Sequence, residues 1–293
     1  MKHHTPLLRQ LALLAALFLL PLLAVGQQSF QKDSLAVIRA KWRVDSLQDG
    51  MIYKTVRFAN KELFNSNQVL SIIEIPKKSS YRLAFSYEPK RTITSRHAAK
   101  HKAVAAINGS FFDMQEHNPI CFLRIDGKRL GINEPGTDPV NRKYYQTGTI
   151  VIVNGTPIIL RTQPSRKWED LIPYTDVMTA GPLLIYHGEQ QPMRNDRTFV
   201  TNRHNRTALG IKDDGTIVLF TVDGRFKESA GMSLPELIRT LSWLGCRDAI
   251  NLDGGGSTTM YLNGQVKNYP SDNGRFDHSG ERGVSNCILV IKR

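Results

Sequence analysis

Cysteine is scarce in this chain: three residues in 293. None of the three forms a C-x-x-C pair, so a cysteine-based structural zinc site is not indicated. An odd count rules out full disulfide pairing. Cys121 and Cys287 lie in the apolar contexts Ile120-Cys-Phe-Leu and Asn286-Cys-Ile-Leu, which read as buried small hydrophobes. Several nucleotide and nucleophile signatures are also missing. Gly-Lys-Ser/Thr, G-x-G-x-x-G, G-x-S-x-G and the alternating acids of an EF-hand all fail, which removes the commonest P-loop, Rossmann, esterase-elbow and calcium-loop readings. After residue 24 no long hydrophobic run remains. There is no repeat, low-complexity tract or long linker.

What stands out instead is Asp248-Ala-Ile-Asn-Leu-Asp-Gly-Gly-Gly-Ser-Thr-Thr-Met260. Ala249, Ile250 and Leu252 read as the end of a buried strand. Asn251 and Asp253 alternate with them and share a face. Gly254, Gly255 and Gly256 follow directly, and Ser257 to Thr259 add hydroxyls. Without Cβ atoms, the three glycines let a bound group approach the backbone closely. A tight turn leaving the strand would account for the same pattern.

The N-terminus reads as a secretory signal peptide, residues 1–26. Lys2 and Arg9 precede the apolar run Leu11–Ala24, and Ala24-Val25-Gly26 is a small-x-small cleavage site. The run is short for a membrane span. The expected product is periplasmic or secreted, with no stable membrane span after cleavage. The formal charge of the whole chain is +13, and losing Lys2 and Arg9 leaves +11. A basic chain favours anionic partners. Its cations are spread rather than gathered into an aromatic-interleaved stripe, so no nucleic-acid partner is expected. The oligomeric state is not legible.

The remaining residues, 27–293, suffice for one large domain. The fold class expected is α+β: a mixed, largely antiparallel β-sheet with packed helices. Residues 27–90 read as an N-terminal helix and strands, part of or packed on a main domain of residues 91–293. A helix is expected over Ser29–Leu47, then strands at Met51–Ala59, Gln68–Ile75 and Tyr81–Tyr87. Asp126-Gly127 and Asn154-Gly155 read as hairpin turns. Thr175–Ile185 reads as a strand broken at Gly181-Pro182. Ser233 to Gly245 is a capped helix, with Pro235 in its first turn.

A second informative stretch is Asn108-Gly-Ser-Phe-Phe-Asp113, at the end of the apolar strand Ala103–Ile107. Asn108 and Asp113 are candidate hydrogen-bonders for a ligand. The plainer reading is an Asn-Gly turn with Asp113 capping the next element, and Phe111 and Phe112 read as core. Thr179 sits just before the Gly-Pro break, where it could face a cleft. Arg206 starts one strand, and Asp223 and Arg225 leave its expected partner. In an antiparallel hairpin these ends are adjacent. Glu281 and Arg282 precede the last strand.

Six segments in order, Ala105-Ala-Ile-Asn-Gly-Ser-Phe-Phe, Thr179-Ala-Gly-Pro, Asn205-Arg-Thr-Ala-Leu-Gly-Ile, Val222-Asp-Gly-Arg, Asn251-Leu-Asp-Gly-Gly-Gly-Ser-Thr and Glu281-Arg-Gly-Val-Ser-Asn, carry a resemblance. From about Ala103 to the C-terminus the chain resembles the phosphodiester glycosidase domain family. The resemblance implies an α+β domain with a mixed sheet and hydrolysis of a sugar-1-phosphodiester of the N-acetylglucosamine type. The substrate would be an anionic sugar phosphodiester or glycan. Such an ester needs little protonation to expel its phosphate, but the departing charge must be held.

Arg206, Arg225 and Arg282 are candidates for holding that charge, assisted by the N–H groups of Gly254–Gly256. Asp253 is the first candidate for the carboxylate at the sugar, followed by Asp223 and Glu281. Asn108, Asp113, Thr179, Asn251 and Ser257 complete the substrate-binding set. No cofactor is required by this chemistry. Ca²⁺ or Mg²⁺ held by the glycine loop, Asp223 and Glu281 is an open alternative. A metal-dependent phosphodiesterase and a non-catalytic envelope glycan-binding protein are the competing functions.

Overall fold

The computed structural model describes residues 31–135, 142–165, 167–193 and 197–293. The expected signal peptide lies outside them. Among the described residues no helix is long and apolar enough to cross a membrane.

The chain folds as α+β around three antiparallel sheets. The largest has eight strands. From one edge these are Arg43–Ser46, Ile52–Leu63, Ser66–Ile75, Ile217–Val222, Arg206–Lys212, Cys246–Asn251, Leu183–Tyr186 and Glu189–Gln190. A five-stranded sheet runs Gln265–Val266, Met260–Leu262, Ala105–Asn108, Gly283–Lys292, Tyr81–Ile93. A second runs Lys128–Gly131, Leu123–Ile125, Asp176–Ala180, Gly148–Val153, Thr156–Arg161. The largely antiparallel character expected is what the strand registers show.

Two cores follow from side-chain alternation. Ile73 and Leu219 of the large sheet meet Ile107, Ile288, Ile150 and Met178 of the smaller sheets in the central core. On the opposite face, Leu70, Phe220 and Ala249 pack under helix Leu234–Trp243 through Leu237 and Leu241. Ser233 caps that helix in a reciprocal box with Glu236. Gly245 follows at φ 83°. All three cysteines are buried free thiols.

Residues 31–38 are helical, but Arg43–Ser46 is an edge strand paired with Ile52–Thr55. The single helix expected to Leu47 therefore ends early. Val44 and Asp45 gain backbone partners on the sheet that a helical turn there would forgo. The expected strand Thr175–Ile185 becomes two strands in different sheets. Asp176–Ala180 joins a five-stranded sheet, and Leu183–Tyr186 joins the eight-stranded one. Gly181-Pro182 carries the chain between them. The hairpin turns Asp126-Gly127 and Asn154-Gly155 form, with all four residues at positive φ. Strands from residues 52–93 run within two of the three sheets.

Candidate functional site

Strand Cys246–Asn251 ends between Leu183–Tyr186 and Arg206–Lys212, in register Leu183↔Ile250 and Ala208↔Asn251. Its extension, Asp253 to Gly256, lies at the edge of the sheet where strand Arg206–Lys212 begins and Ile217–Val222 ends. Several strand tips therefore meet there. Asn108 ties them together. Its Nδ2 donates to the Asp253 carbonyl at 2.7 Å, and its Oδ1 accepts from Thr207 Oγ1 at 2.8 Å and Thr259 N at 3.2 Å. The side chain is fully buried. It joins a five-stranded sheet to the eight-stranded one and is committed to protein partners.

Asp253 is half-buried at the strand tip. Desolvation drives its carboxyl up to about 6, against the Ser257 hydroxyl, the Gly254 N–H and the Arg282 charge. Gly254 N donates to Asp253 Oδ1 at 2.9 Å. Residues Gly255–Ser257 make a 3₁₀ turn, with Gly255 at φ 60°. Two guanidiniums lie over this turn. A Cβ on Gly255 would stand 2.8 Å from Arg225 Nη2. A Cβ on Gly256 would run into the Arg282 guanidinium and the Asp272 carboxylate. A side chain at either position would push a guanidinium away from the turn. Arg282 is steadied by Asp272 at 2.6 Å. Arg225 is exposed and held at φ 67°, a conformation sparsely populated by residues with side chains.

Asp223 is fully buried, and burial raises its carboxyl to about 7. Its Oδ1 accepts from Asn268 Nδ2 at 3.0 Å and Tyr269 N at 2.9 Å. Its Oδ2 has no hydrogen-bond partner, and Asn251 Oδ1, Thr258 Oγ1 and Thr259 Oγ1 are likewise buried without one. Buried polar atoms are nearly always satisfied, so their concentration around one loop marks it as unusual. Asn251 Nδ2 donates to the Gly181 and Leu252 carbonyls.

Four expected site residues are engaged elsewhere. Arg206 pairs in register with Val222, as the hairpin requires, but points to the opposite face from Thr207. Its guanidinium donates to the carbonyls of Met232, Phe199 and Asn202 at 2.9, 2.7 and 3.0 Å, and burial lowers its pKa to about 10. Glu281 accepts from Ser95 N at 2.9 Å and Ser95 Oγ at 2.6 Å. It caps helix Thr94–Lys100, where a carboxylate complements the helix dipole. Asp113 Oδ1 accepts from the N–H groups of Gln115 and Glu116, each at 2.7 Å, the local cap of the plainer reading. Thr179 is buried in its sheet, bonded to Thr149 and Glu169. Its hydroxyl joins a network in which Glu169 also pairs with Arg142.

Other groups near Asp253 were not among the expected site residues. Tyr144 packs tilted against Phe199, with ring centroids 4.6 Å apart, and lies under Arg197, and its phenol lies within range of the Asp253 charge. Asn286, the last residue of the six ordered segments, accepts from Ser110 N at 2.7 Å and fixes the Asn108-Gly-Ser turn. Among the described residues no group of three His, Cys, Asp or Glu side chains is placed to hold a metal ion. Glu281 lies at a helix end, so it does not join Asp223 in the donor set considered for Ca²⁺ or Mg²⁺.

The strand tips thus bring a desolvated carboxyl to a glycine turn crossed by two arginines. The chain belongs to the phosphodiester glycosidase family, whose model matches residues 101–291. It is 40% identical over 180 residues to the Mus musculus N-acetylglucosamine-1-phosphodiester alpha-N-acetylglucosaminidase, a match covering 57% of this chain and 33% of that one. The Homo sapiens protein of that name is 42% identical over 96 residues, 30% of this chain and 18% of its own length. The chain thus spans a third or less of these curated relatives. In fold it is similar to the auto-inhibited zebrafish catalytic domain of that name, with TM-score 0.65 and 21% identity over 86% of this chain and 88% of that one. A hypothetical protein from Synechocystis has TM-score 0.59 at 18% identity, over 86% and 64%.

Proposed function

We propose that this chain hydrolyses the glycosidic C1–O bond of a sugar-1-phosphodiester of the N-acetylglucosamine type, releasing free sugar and a phosphomonoester. The observation that carries this reading is the Asp253 carboxyl, raised to about 6 and set beside a glycine turn under Arg225 and Arg282. A phosphomonoester leaving group is already stabilised as an anion. The site therefore needs to hold negative charge and supply a carboxylate at the sugar.

Arg225 and Arg282 hold the phosphate, with the N–H groups of the turn as supplementary donors. Asp253 is the catalytic carboxylate. Its pKa lies close enough to neutrality for it to take a proton from water or to face the developing cation as an anion. Asp223, near 7, is the second carboxyl able to give or take a proton at neutral pH. Asn108 and Asn286 are positioning residues that hold the turn and strand tips in place. The N-terminal apolar run supports export of the chain to the periplasm or beyond.

The test is hydrolysis of an N-acetylglucosamine-1-phosphodiester in ¹⁸O water, following free sugar and phosphomonoester by mass spectrometry. Label in the sugar is the expected result. Label in the phosphate would mean P–O cleavage and overturn the assignment.

A further inference from the structure

Strand Ile52–Leu63 carries a cavity on each face. One, of about 800 Å³, is closed by strands Arg43–Ser46 and Gln265–Val266 and by the loop that follows Gln265–Val266. The other, of about 600 Å³, is closed by the helix of residues 31–38. Alternation puts Tyr53, Thr55 and Arg57 on the first face and Val56 and Phe58 on the second. Lys41, Val56 and Arg57 line both cavities. They meet where the strand runs past its edge partner, which pairs only as far as Thr55. The result is one track that bends around a sheet edge. No residue of the glycine turn lines it, and neither does Arg225 or Arg282.

The track is basic along its length. The larger cavity carries Lys41, Arg43, Arg57 and Lys267 against one acid, Asp45. The smaller carries five cations, Lys41 and Arg57 again among them, against Glu62. Arg43 meets Asp45 only at 3.8 Å. Arg57 lies 5.8 Å from the Phe276 ring centroid and Lys267 lies 5.6 Å from that of Tyr53. Neither of them, nor Lys41, pairs with a carboxylate among the described residues. Residues 1–30 contain no Asp or Glu that would supply one. By contrast, Lys54 and Lys212 share Glu74, and Arg203 is paired with Glu236. The rest of the lining mixes the hydroxyl of Thr55 and the amides of Gln265 and Asn60 with apolar side chains.

Unneutralised cations gathered in a concave track favour an anionic ligand. The bend selects among anions. A flat lipid surface or a stiff duplex touches one face of the strand and misses the other, whereas a flexible chain follows both. Single-stranded nucleic acid binds by stacking bases on open aromatic faces. Here Phe276 and His278 both stack on Tyr269, with centroids 4.0 and 4.3 Å apart, and the Tyr53 ring faces Lys267. A chain of acidic sugars matches the charge with its anions and the hydroxyl and amide groups with its own hydroxyls. We propose that this track binds a linear anionic polysaccharide through the carboxylate or phosphate groups of its repeats. Binding is read directly, so the proposal does not depend on the reaction assigned to the glycine turn.

The experiment is titration calorimetry of the protein with an oligogalacturonate, a phosphomannan oligosaccharide and a neutral dextran oligosaccharide of matched length. Oligothymidylate and phosphatidylglycerol vesicles are the competing anions. At least one acidic oligosaccharide is expected to bind at least about tenfold more tightly than dextran, and to weaken steeply as salt rises from about 50 to about 300 mM. A preference between the two acidic sugars names the charged group that the track reads. Arg57→Glu should weaken binding at least about fivefold, because it removes one attraction and adds a repulsion. Lys41→Glu, an independent exposed position outside the strands, should do the same. Arg57→Lys should keep most of the affinity, and Tm should be unchanged in all three variants. Equal binding of dextran, tighter binding of oligothymidylate or vesicles than of either acidic sugar, or affinity that neither charge reversal alters overturns the proposal.

Discussion

Replacing Asp223 with asparagine should make the protein more stable at alkaline pH and leave it no better at acid pH. Raising the native carboxyl from an ordinary 3.8 to about 7 means that the folded protein binds this proton more tightly than the unfolded chain. Stability from this group is therefore full below about pH 4 and is lost as pH climbs through about 7. Converted at 1.36 kcal/mol per pH unit, the ionised native carboxylate costs about 4 kcal/mol by pH 8. Asparagine removes that charge. It can keep an acceptor for Asn268 Nδ2 and Tyr269 N, but it places an NH₂ where Asp223 Oδ2 has no partner. An unsatisfied buried donor costs about 1–3 kcal/mol.

The net gain at pH 8 is then about 1–3 kcal/mol, or roughly 3–10 °C in Tm for a domain of this size. Near pH 4.5 the gain vanishes or reverses. Thermal unfolding of wild type and Asp223→Asn, followed by near-ultraviolet circular dichroism from pH 4.5 to 8, reads this directly. The two Tm curves must converge or cross on the acid side. Parallel curves separated by one constant amount would show that Asp223 does not carry a raised pKa.

Asp253→Asn should cost at least about 10²-fold in kcat, as loss of a general acid–base or nucleophilic carboxyl does, while Tm at pH 7 holds or rises. Turnover within a few-fold of wild type would exclude Asp253 from the chemistry. Arg225→Ala, exposed and over the turn, should raise KM or lower kcat at least about tenfold with Tm unchanged. Arg206→Met should do the opposite, losing about 2–4 kcal/mol in urea unfolding because three carbonyls lose their donor. Gly255→Ala should lose about 1 kcal/mol from the positive φ and weaken phosphodiester binding by displacing Arg225; unaltered kinetics would remove Arg225 from the site.

The strand-to-glycine passage at Asp253 was legible because period-two alternation stops abruptly at three residues that lack side chains. The turns at Asp126-Gly127 and Asn154-Gly155 were legible for a similar local reason. Chain adjacency of Arg206 and Asp223 was also readable from hairpin logic. What misled was the face. Arg206 shares parity with Ala208, which packs under the helix, whereas Thr207 shares the side of Asn108. Glu281 looked like a pocket acid because nothing local announces that Ser95, far away in sequence, will claim both its oxygens. Tyr144 and Arg197 come from irregular segments whose placement depends on packing against distant elements, so no periodicity could reveal them. The helix expected to Leu47 stops at residue 38, and Arg43–Ser46 pairs at the edge of the large sheet instead.

The Asn108 joint has a consequence for how this protein could be dissected. Its three bonds reach Thr207, Asp253 and Thr259, in segments from different parts of the polypeptide. No contiguous excerpt of the gene that omits residue 108 can assemble the reaction centre by itself. A severed chain would regain its competence only by reassociation of both pieces, which share the ladders of Ser66–Ile75 with Ile217–Val222 and of Ala105–Asn108 with Met260–Leu262 and Gly283–Lys292 as well as this amide.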